Sequence, residues 1–316
     1  MKALKVLHEA EPLGDPPAAV HVAVGVFDGV HLGHAVVVGR MVAEARSRGG
    51  VPVVVTFDRH PQTVVAPAHA PAMIYPLWRR LRALEGLGLE SALVYRFDAE
   101  FSRQTGEAFI DRLRRGFRSL AGITVGAGFV FGRERSGDLD LLRRLGPRHG
   151  FTVNGVPPLE MEGGVISSTR LRESIAEGRL DEAARMLGRP YSLAGEVREG
   201  DRLGRQLGFP TANLEVTGLV LPPTGVYAAW AKWDGAVRAA AVNLGTRPTV
   251  DPSAAGVRVE AHLLDFDGDL YGRQVELELG PRLRGECRFP SRDALVEQIT
   301  RDVAGVRQWA GNKGLP

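Results

Sequence analysis

The chain has 316 residues, of which 44% are apolar and 24% are charged, a composition typical of a folded protein. No apolar run reaches the ~20 residues of a membrane-spanning helix, and the single cysteine, Cys287, excludes an internal disulfide and a zinc site built from several cysteines. Arginine greatly outnumbers lysine at a net charge of only +3, which favours anionic ligands such as nucleotides and does not indicate nucleic-acid binding.

The N-terminal segment MKALKVLHEAEPLGDPP has acidic residues where a secretory signal has its apolar core. We therefore expect a cytoplasmic protein with no membrane partner and no nucleic-acid partner. The length fits two domains of ordinary size, each with a core of its own.

Short apolar strands alternate with helical patterns through the first half. Strands are predicted at AVHVAVGVF (19–27), VPVVVTF (51–57), SALVYRF (91–97) and GITVGAGF (122–129). Helices are predicted at HAVVVGRMVAEARSRG (34–49), LWRRLRALEGLG (77–88) and TGEAFIDRLRRG (105–116). Strands that are apolar on both faces indicate a parallel sheet covered on both sides. The pattern predicts a doubly wound α/β domain over residues 1–187.

The pattern changes after LGRPY, at residues 187–191. Short alternating runs separated by Gly, Pro and Asp turns follow, at LAGEVREG, GVYAAWAKWDGAVRAAAVNLG, VRVEAHLLDF and QVELELG. They predict an antiparallel β domain over residues 188–316 that forms a small barrel and ends in a helix over about 291–310.

The segment GVFDGVHLGH, residues 25–34, follows the first long strand. Ligands of an open α/β sheet gather at the carboxyl ends of its strands, where a helix N-terminus favours phosphate. His31 and His34 are one helical turn apart, and Gly33 between them leaves room for a phosphate. Two polar residues that open a helix would give the same pattern, but the preceding strand and the FDG sequence favour hydrogen bonds to a nucleoside triphosphate.

A second candidate anion site is ISSTRLRESIAEG, residues 166–178. Its hydroxyls fit a helix N-cap, and Arg170 and Arg172 follow them. Alone the segment is typical of an ordinary cap; together with the histidines it indicates a clamp on the triphosphate.

Two features of the second half are consistent with phosphate chemistry. GFPTANL places Thr211 and Asn213 as oxygen donors of the kind Mg²⁺ takes, although the same sequence is typical of a strand-entry turn. In VRVEAHLLDF, alternation puts Glu260 on the opposite face from Val259 and Ala261, which fits a solvated strand face as well as a reactive carboxylate.

Taken together, GVFDGVHLGH, VVVTFDRHPQTV, VGAGFVFGRERSGD, ISSTRLR and GRPYSLAGEVREGDRLGRQLGFPTANL resemble the bacterial bifunctional riboflavin kinase/FAD synthetase family. GVYAA, VNLGTRPTV and VEAHLLDFDGDLYG agree with it. The motifs occur in the family's order and cover essentially the whole chain.

The resemblance implies an N-terminal nucleotidyltransferase domain that adenylylates FMN to FAD by direct attack on the α-phosphorus of Mg-bound ATP. His31 and His34 would be catalytic. Flavin contacts are expected at Phe57, Asp58 and Gly128. Contacts with ATP, across both domains, are expected at Gly25, Phe27, Asp28, Gly29, Gly33, Ser168, Thr169, Arg170, Gly204 and Thr211.

For the C-terminal domain the resemblance implies riboflavin kinase activity. Glu260 matches the expected base, which accepts the proton of the ribityl 5′-hydroxyl as it attacks the γ-phosphorus. Asn213 is expected to be catalytic, and Thr211 and Asn213 to hold Mg²⁺. ATP, riboflavin and FMN are the expected partners, and FMN and FAD the products.

The chain departs from the family pattern at two positions. Gly128 stands where the motif usually carries Asn or Asp, and Arg59 stands where proline is common. A monofunctional riboflavin or flavin-analogue kinase with an impaired or repurposed adenylyltransferase domain is therefore an alternative, as is a flavin-binding sensor without turnover. The motifs leave open ATP or CTP, riboflavin or an analogue, the oligomeric state and direct transfer of FMN between the sites.

Overall fold

The computed structural model describes residues 4–14, 18–200, 203–246 and 257–314. The chain divides into two compact units, Met1–Leu171 and Arg172–Pro316. The sequence-based boundary at residues 187 and 188 stays a prediction. Among the helices described, none is long and apolar enough to cross a membrane.

The first unit is built on a parallel sheet. Its strands are β1 (Lys5–Leu7), β2 (Val20–Val24), β3 (Val51–Phe57), β4 (Ser91–Tyr95), β5 (Leu120–Gly126) and β6 (Thr152–Val156). They pair in the order β1-β4-β3-β2-β5-β6, every pair parallel.

Helices connect these strands, as a parallel sheet requires. They are α1 (Leu32–Ser47), α2 (Gln62–Val65), α3 (Leu77–Glu85), α4 (Gly106–Phe117) and α5 (Leu139–His149). Single 3₁₀ turns occur at Pro67–His69, Phe101–Arg103 and Arg133–Arg135. A small hairpin of β7 (Glu160–Met161) and β8 (Gly164–Val165) leads into α6 (Ser168–Ala176).

Both faces of the sheet are covered, because alternate residues of β3 belong to two different hydrophobic clusters. Val53 and Val55 pack in a cluster with Phe109 of α4 and Leu142 of α5. Val54 packs in a second cluster on the other face, with α1 and α3. The doubly wound α/β fold is therefore confirmed, and the continuous apolar strands are explained by burial on two sides.

The second unit contains helix α7 (Leu180–Leu187) and an antiparallel barrel. The barrel strands are β9 (Ser192–Arg198), β10 (Ala212–Leu214), β11 (Gly225–Trp233), β12 (Ala236–Thr246), β13 (Val257–Leu263) and β14 (Gln274–Arg284). They close in the order β10-β13-β12-β11-β14-β9. The short α8 (Leu203–Gln206) lies between β9 and β10, and α9 (Arg292–Lys313) follows the barrel.

Apolar side chains fill the barrel, and α9 covers one side of it. Val242, Leu244 and Val259 have no solvent exposure, and Val306 of α9 packs with Ala228 of β11. The predicted barrel with a closing helix is confirmed. The motif VNLGTRPTV extends past Thr246 and lies partly outside the described residues.

Candidate active sites

The loop between β2 and α1 holds the first group of predicted nucleotide contacts: Gly25, Phe27, Asp28, Gly29 and His31. Its backbone is strained, because Phe27 and Val30 have φ of 51° and 44°, in the left-handed region that side chains disfavour. The buried Asp28 carboxylate accepts hydrogen bonds from the backbone N–H of Ile74 (3.0 and 2.9 Å) and of Tyr75 (3.2 Å). These bonds hold the strained loop in place.

The two histidines stack at the start of α1. Their ring centroids are 3.6 Å apart with 16° between the planes. His31 is the N-cap, and its Nδ1 accepts the backbone N–H of His34 at 3.3 Å. A methyl group on Gly33 would lie 3.1 Å from the His31 ring, so a larger residue there would displace that ring by a few tenths of an ångström. Phe27 meets the His34 ring edge-on at 5.2 Å.

The ISSTRLR segment adjoins the same loop. Ser168 Oγ donates to the carbonyl of Asp28 at 3.0 Å, and Thr169 is exposed on the first turn of α6. The Arg170 guanidinium donates to carbonyls of the β7–β8 hairpin, at Met161 (2.9 Å), Glu162 (2.7 Å) and Gly164 (3.0 Å). The structure thus brings Ser168 to the histidine loop, and a contact of Arg170 with ATP stays a prediction.

An aromatic cavity of about 570 Å³ opens at the carboxyl edge of the sheet. Val26 and Phe57 line it, and three arginines contribute, Arg103, Arg133 and Arg135. Further rings in its wall are Phe97, Phe101, Phe109, Phe129 and Phe131. This volume is typical of a pocket for one small molecule.

Of the three predicted flavin contacts, Phe57 lines the cavity. Asp58 and Gly128 do not line it, but each is adjacent in the chain to a residue that does, Phe57 and Phe129 respectively. Gly128 is exposed in the turn before Phe129, and a methyl group there would meet nothing within 4 Å.

The Asp58 carboxylate holds two neighbours in place. It accepts the backbone N–H of Phe97 at 2.9 Å and the guanidinium of Arg59 at 2.9 and 3.1 Å. Burial raises the pKa of Asp58, but the hydrogen bonds from Arg59 and Phe97 outweigh it and hold that pKa below its ordinary value. The arginine that departs from the family pattern therefore fixes this carboxylate.

In the barrel, three polar side chains lie side by side on adjacent strands. Asn213 of β10 is opposite Glu260 of β13, which is opposite Asn243 of β12. Their neighbours Val259 and Leu244 are buried, so the polar residues face out of the barrel. Arg258 holds Glu260 by a hydrogen bond of 3.3 Å.

Two glycines allow the chain to close around Asn213 and Thr211. A methyl group on Gly200 would overlap the Asn213 amide, lying 2.5 Å from Cγ and 2.7 Å from Oδ1. One on Gly204 would overlap the carbonyl of Phe209 and lie 3.2 Å from Oγ1 of Thr211. The predicted residues Gly204, Thr211, Asn213 and Glu260 thus belong to one surface of the barrel.

Two family models match the chain. The FAD synthetase model covers residues 15–170 and the riboflavin kinase model covers residues 187–310. A protein of Escherichia coli strain K12, a bifunctional riboflavin kinase/FMN adenylyltransferase, is 38% identical over 315 residues, which are 98% of each chain. The chain belongs to the bifunctional riboflavin kinase/FMN adenylyltransferase family.

Another member of this family, from Pseudomonas fluorescens, is 36% identical over 310 residues, again 98% of each chain. Among solved structures, one described as a macrolide-efflux protein from Streptococcus pneumoniae aligns with a TM-score of 0.80 and 30% identity. The alignment covers 97% of this chain and 99% of that one. The presence of both domains supports the bifunctional interpretation over a kinase alone.

Sequence reasoning missed most of the cavity wall. A signal for it was available, because all four predicted strands end in phenylalanine, and three of these residues line the cavity: Phe57, Phe97 and Phe129. Parallel strands bring their carboxyl ends to one edge, where these rings meet. Asn243 was missed because its register with Glu260 appears only once the strands are paired.

Proposed function

We propose that the protein makes both flavin cofactors, phosphorylating riboflavin to FMN on the barrel and adenylylating FMN to FAD on the α/β unit. The observation that carries the adenylyltransferase assignment is the stacked pair His31 and His34 beside the aromatic cavity. Val26 lines the cavity and is the neighbour of Phe27, which contacts His34. A phosphate site and a site for a planar ring therefore adjoin at one edge of the sheet.

In the adenylyl transfer, a phosphate oxygen of FMN attacks the α-phosphorus of ATP. The bond from that phosphorus to the pyrophosphate oxygen breaks, and pyrophosphate leaves with the additional charge. Because Nδ1 of His31 accepts the His34 N–H, the neutral ring carries its proton on Nε2. That N–H would donate to the phosphates, and its bond strengthens as charge develops.

The isoalloxazine ring would stack among the phenylalanines of the cavity, and the phosphate of FMN would face the histidine loop. Arg103, Arg133 and Arg135 outnumber Glu134, the one acidic residue in the described lining, and so give the cavity a net positive charge that suits an anionic flavin. Ser168 and Thr169 would complete the triphosphate site.

In the kinase reaction, Glu260 would accept the proton of the ribityl 5′-hydroxyl as that oxygen attacks the γ-phosphorus. The bond between the γ-phosphorus and ADP breaks, and FMN and ADP are formed. Arg258 keeps the carboxylate oriented through its 3.3 Å hydrogen bond.

The residues present fit a magnesium ion delivered with ATP. Thr211 and Asn213 offer a hydroxyl and an amide oxygen, and Gly200 leaves the space that the Asn213 amide occupies. No cluster of three or more metal-binding His, Cys, Asp or Glu side chains occurs among the described residues, which fits an ion held mainly by phosphates and water. When bound, Mg²⁺ would neutralise charge on the transferring phosphoryl group. A cytoplasmic location stays a prediction.

Variants that separate the two sites test this proposal. We expect Asn213→Ala combined with Glu260→Gln to abolish FMN formation from riboflavin and to leave FAD formation from added FMN intact. His31→Ala should do the reverse, with FAD formation lowered about 10²-fold or more. Loss of both activities in either variant, at unchanged melting temperature, would contradict the assignment of one reaction to each unit.

A further inference from the structure

Arg80 is a fully buried arginine close to the candidate adenylyl-transfer site. It lies in α3, within the arginine-rich sequence LWRRLR, and its side chain is 1% exposed. Burying a guanidinium costs free energy unless its donors are satisfied. The groups that accept hydrogen bonds from those donors therefore indicate what Arg80 does.

The guanidinium of Arg80 bridges the carboxyl ends of two neighbouring strands. Nη1 donates to the carbonyl of Val26 at 2.6 Å, beyond the end of β2. Nη2 donates to the carbonyls of Phe57 at 2.8 Å and Asp58 at 3.3 Å, at the end of β3. Nη1 is also 3.4 Å from the hydroxyl of Thr56, which itself donates to Val26 at 3.1 Å.

All of these hydrogen-bond acceptors are uncharged oxygens, and within the described part of the chain no carboxylate bonds Arg80 directly. Burial lowers its pKa, and the negative charges of Asp28 and Asp58 oppose that shift. An arginine nevertheless stays protonated in proteins. A fixed positive charge therefore lies behind the loops that would receive two polyanionic substrates.

The two strand ends lead to different parts of the site. The Val26 carbonyl immediately precedes Phe27 and the strained loop that ends at His31. The Phe57 carbonyl belongs to a residue in the wall of the aromatic cavity. One planar group with two parallel donors thus ties the histidine side of the site to the cavity side, which a single-point donor cannot do.

We propose that Arg80 is a positioning residue for adenylyl transfer, setting the distance between the histidine loop and the cavity wall so that the FMN phosphate meets the α-phosphorus. This inference rests on the proposed adenylyltransferase function. Arg80 acts through the loops it holds and touches neither substrate. Its loss affects the geometry of attack more than the binding of either substrate.

Arg80→Lys tests this role, since it keeps the charge and removes the fork. The matched control is Arg82→Lys, on the same helix but exposed and stacked on Trp78. We expect kcat for FAD formation from FMN to fall about 10²-fold in Arg80→Lys. We expect the KM values for ATP and FMN to stay within about threefold. FMN formation from riboflavin normalises the amount of protein, and thermal unfolding followed by circular dichroism shows whether the α/β unit of each variant is folded.

Retention of the wild-type kcat in Arg80→Lys would overturn the proposal and leave Arg80 a purely structural residue. A rise in KM at unchanged kcat would overturn it as well, since that pattern reports substrate binding. Absence of FAD formation by the wild type would overturn the proposed function itself, and it is recognised before any variant is measured.

Thr56→Val covers the case in which Arg80→Lys does not fold. It removes the hydroxyl that shares the bridge but leaves the arginine and the packing volume in place. We expect kcat for FAD formation to fall about threefold or more with both KM values held. A wild-type kcat in Thr56→Val, together with an unfolded Arg80→Lys, would contradict the positioning role.

Discussion

Gly200→Ala separates kinase activity from stability in a single substitution. The added methyl carbon would lie 2.5 Å from Cγ and 2.7 Å from Oδ1 of Asn213, whereas carbon contacts are comfortable at about 3.5 Å or more. The amide must therefore move by roughly 1 Å. Because it is the end of a side chain, it can rotate away at small cost in folding free energy.

The reaction is more sensitive than the fold to such a shift, since a misplacement of about 1 Å can cost about 10²-fold in rate. We therefore expect FMN formation from riboflavin to fall by about that factor in Gly200→Ala. The melting temperature should change by less than ~3 °C, and FAD formation from added FMN should be unchanged.

Liquid chromatography of the flavin products, with riboflavin or FMN as the sole flavin, measures both activities on one preparation. Gly311→Ala is the matched control, because it lies in α9 and a methyl group there meets nothing within 4 Å. Wild-type kinase activity in Gly200→Ala would refute the assignment of Asn213 to the kinase site.

Three further substitutions test the α/β unit. Gly128→Asn should raise FAD formation from FMN about threefold or more, because the position is open and the amide could hydrogen-bond a flavin bound in the adjoining cavity; an unchanged rate would show that the departure is neutral. Gly33→Ala, whose methyl would lie 3.1 Å from the His31 ring, should lower FAD formation about tenfold while kinase activity is retained. Asp58→Asn should lower the free energy of unfolding by about 1 kcal/mol at pH 7 in urea titrations. Since the pKa of Asp58 is depressed in the folded state, the wild type has this advantage above the ordinary aspartate pKa and loses it as pH falls through the folded pKa. A difference that does not shrink as the pH falls below the ordinary aspartate pKa would refute the ionic origin.

The sequence predicts the fold well where burial leaves a strong pattern. The strands β2 to β5 are apolar because both faces are covered, and their positions follow from that. The edge strands β1 and β6 were not predicted, because neither leaves a strong apolar pattern in the sequence. The first has three residues, and the second, TVNGV, contains Asn154 and Gly155 and lacks a continuous apolar run.

In the candidate sites, too, some residues can be predicted from the sequence and others cannot. His31 and His34 are found from sequence because their spacing and the preceding strand suffice to bring them together. Arg80 could not be found, since a helix reading LWRRLR is typical of a solvated surface. Its burial depends on strand ends that are distant in the chain and meet it only in the folded protein.

The most direct test of the central claim is a product analysis of the purified wild-type protein with Mg²⁺ and ATP, given riboflavin in one reaction and FMN in another. The bifunctional assignment predicts FMN and then FAD from riboflavin, and FAD from FMN. FMN that accumulates from riboflavin, with no FAD from either substrate, would contradict it.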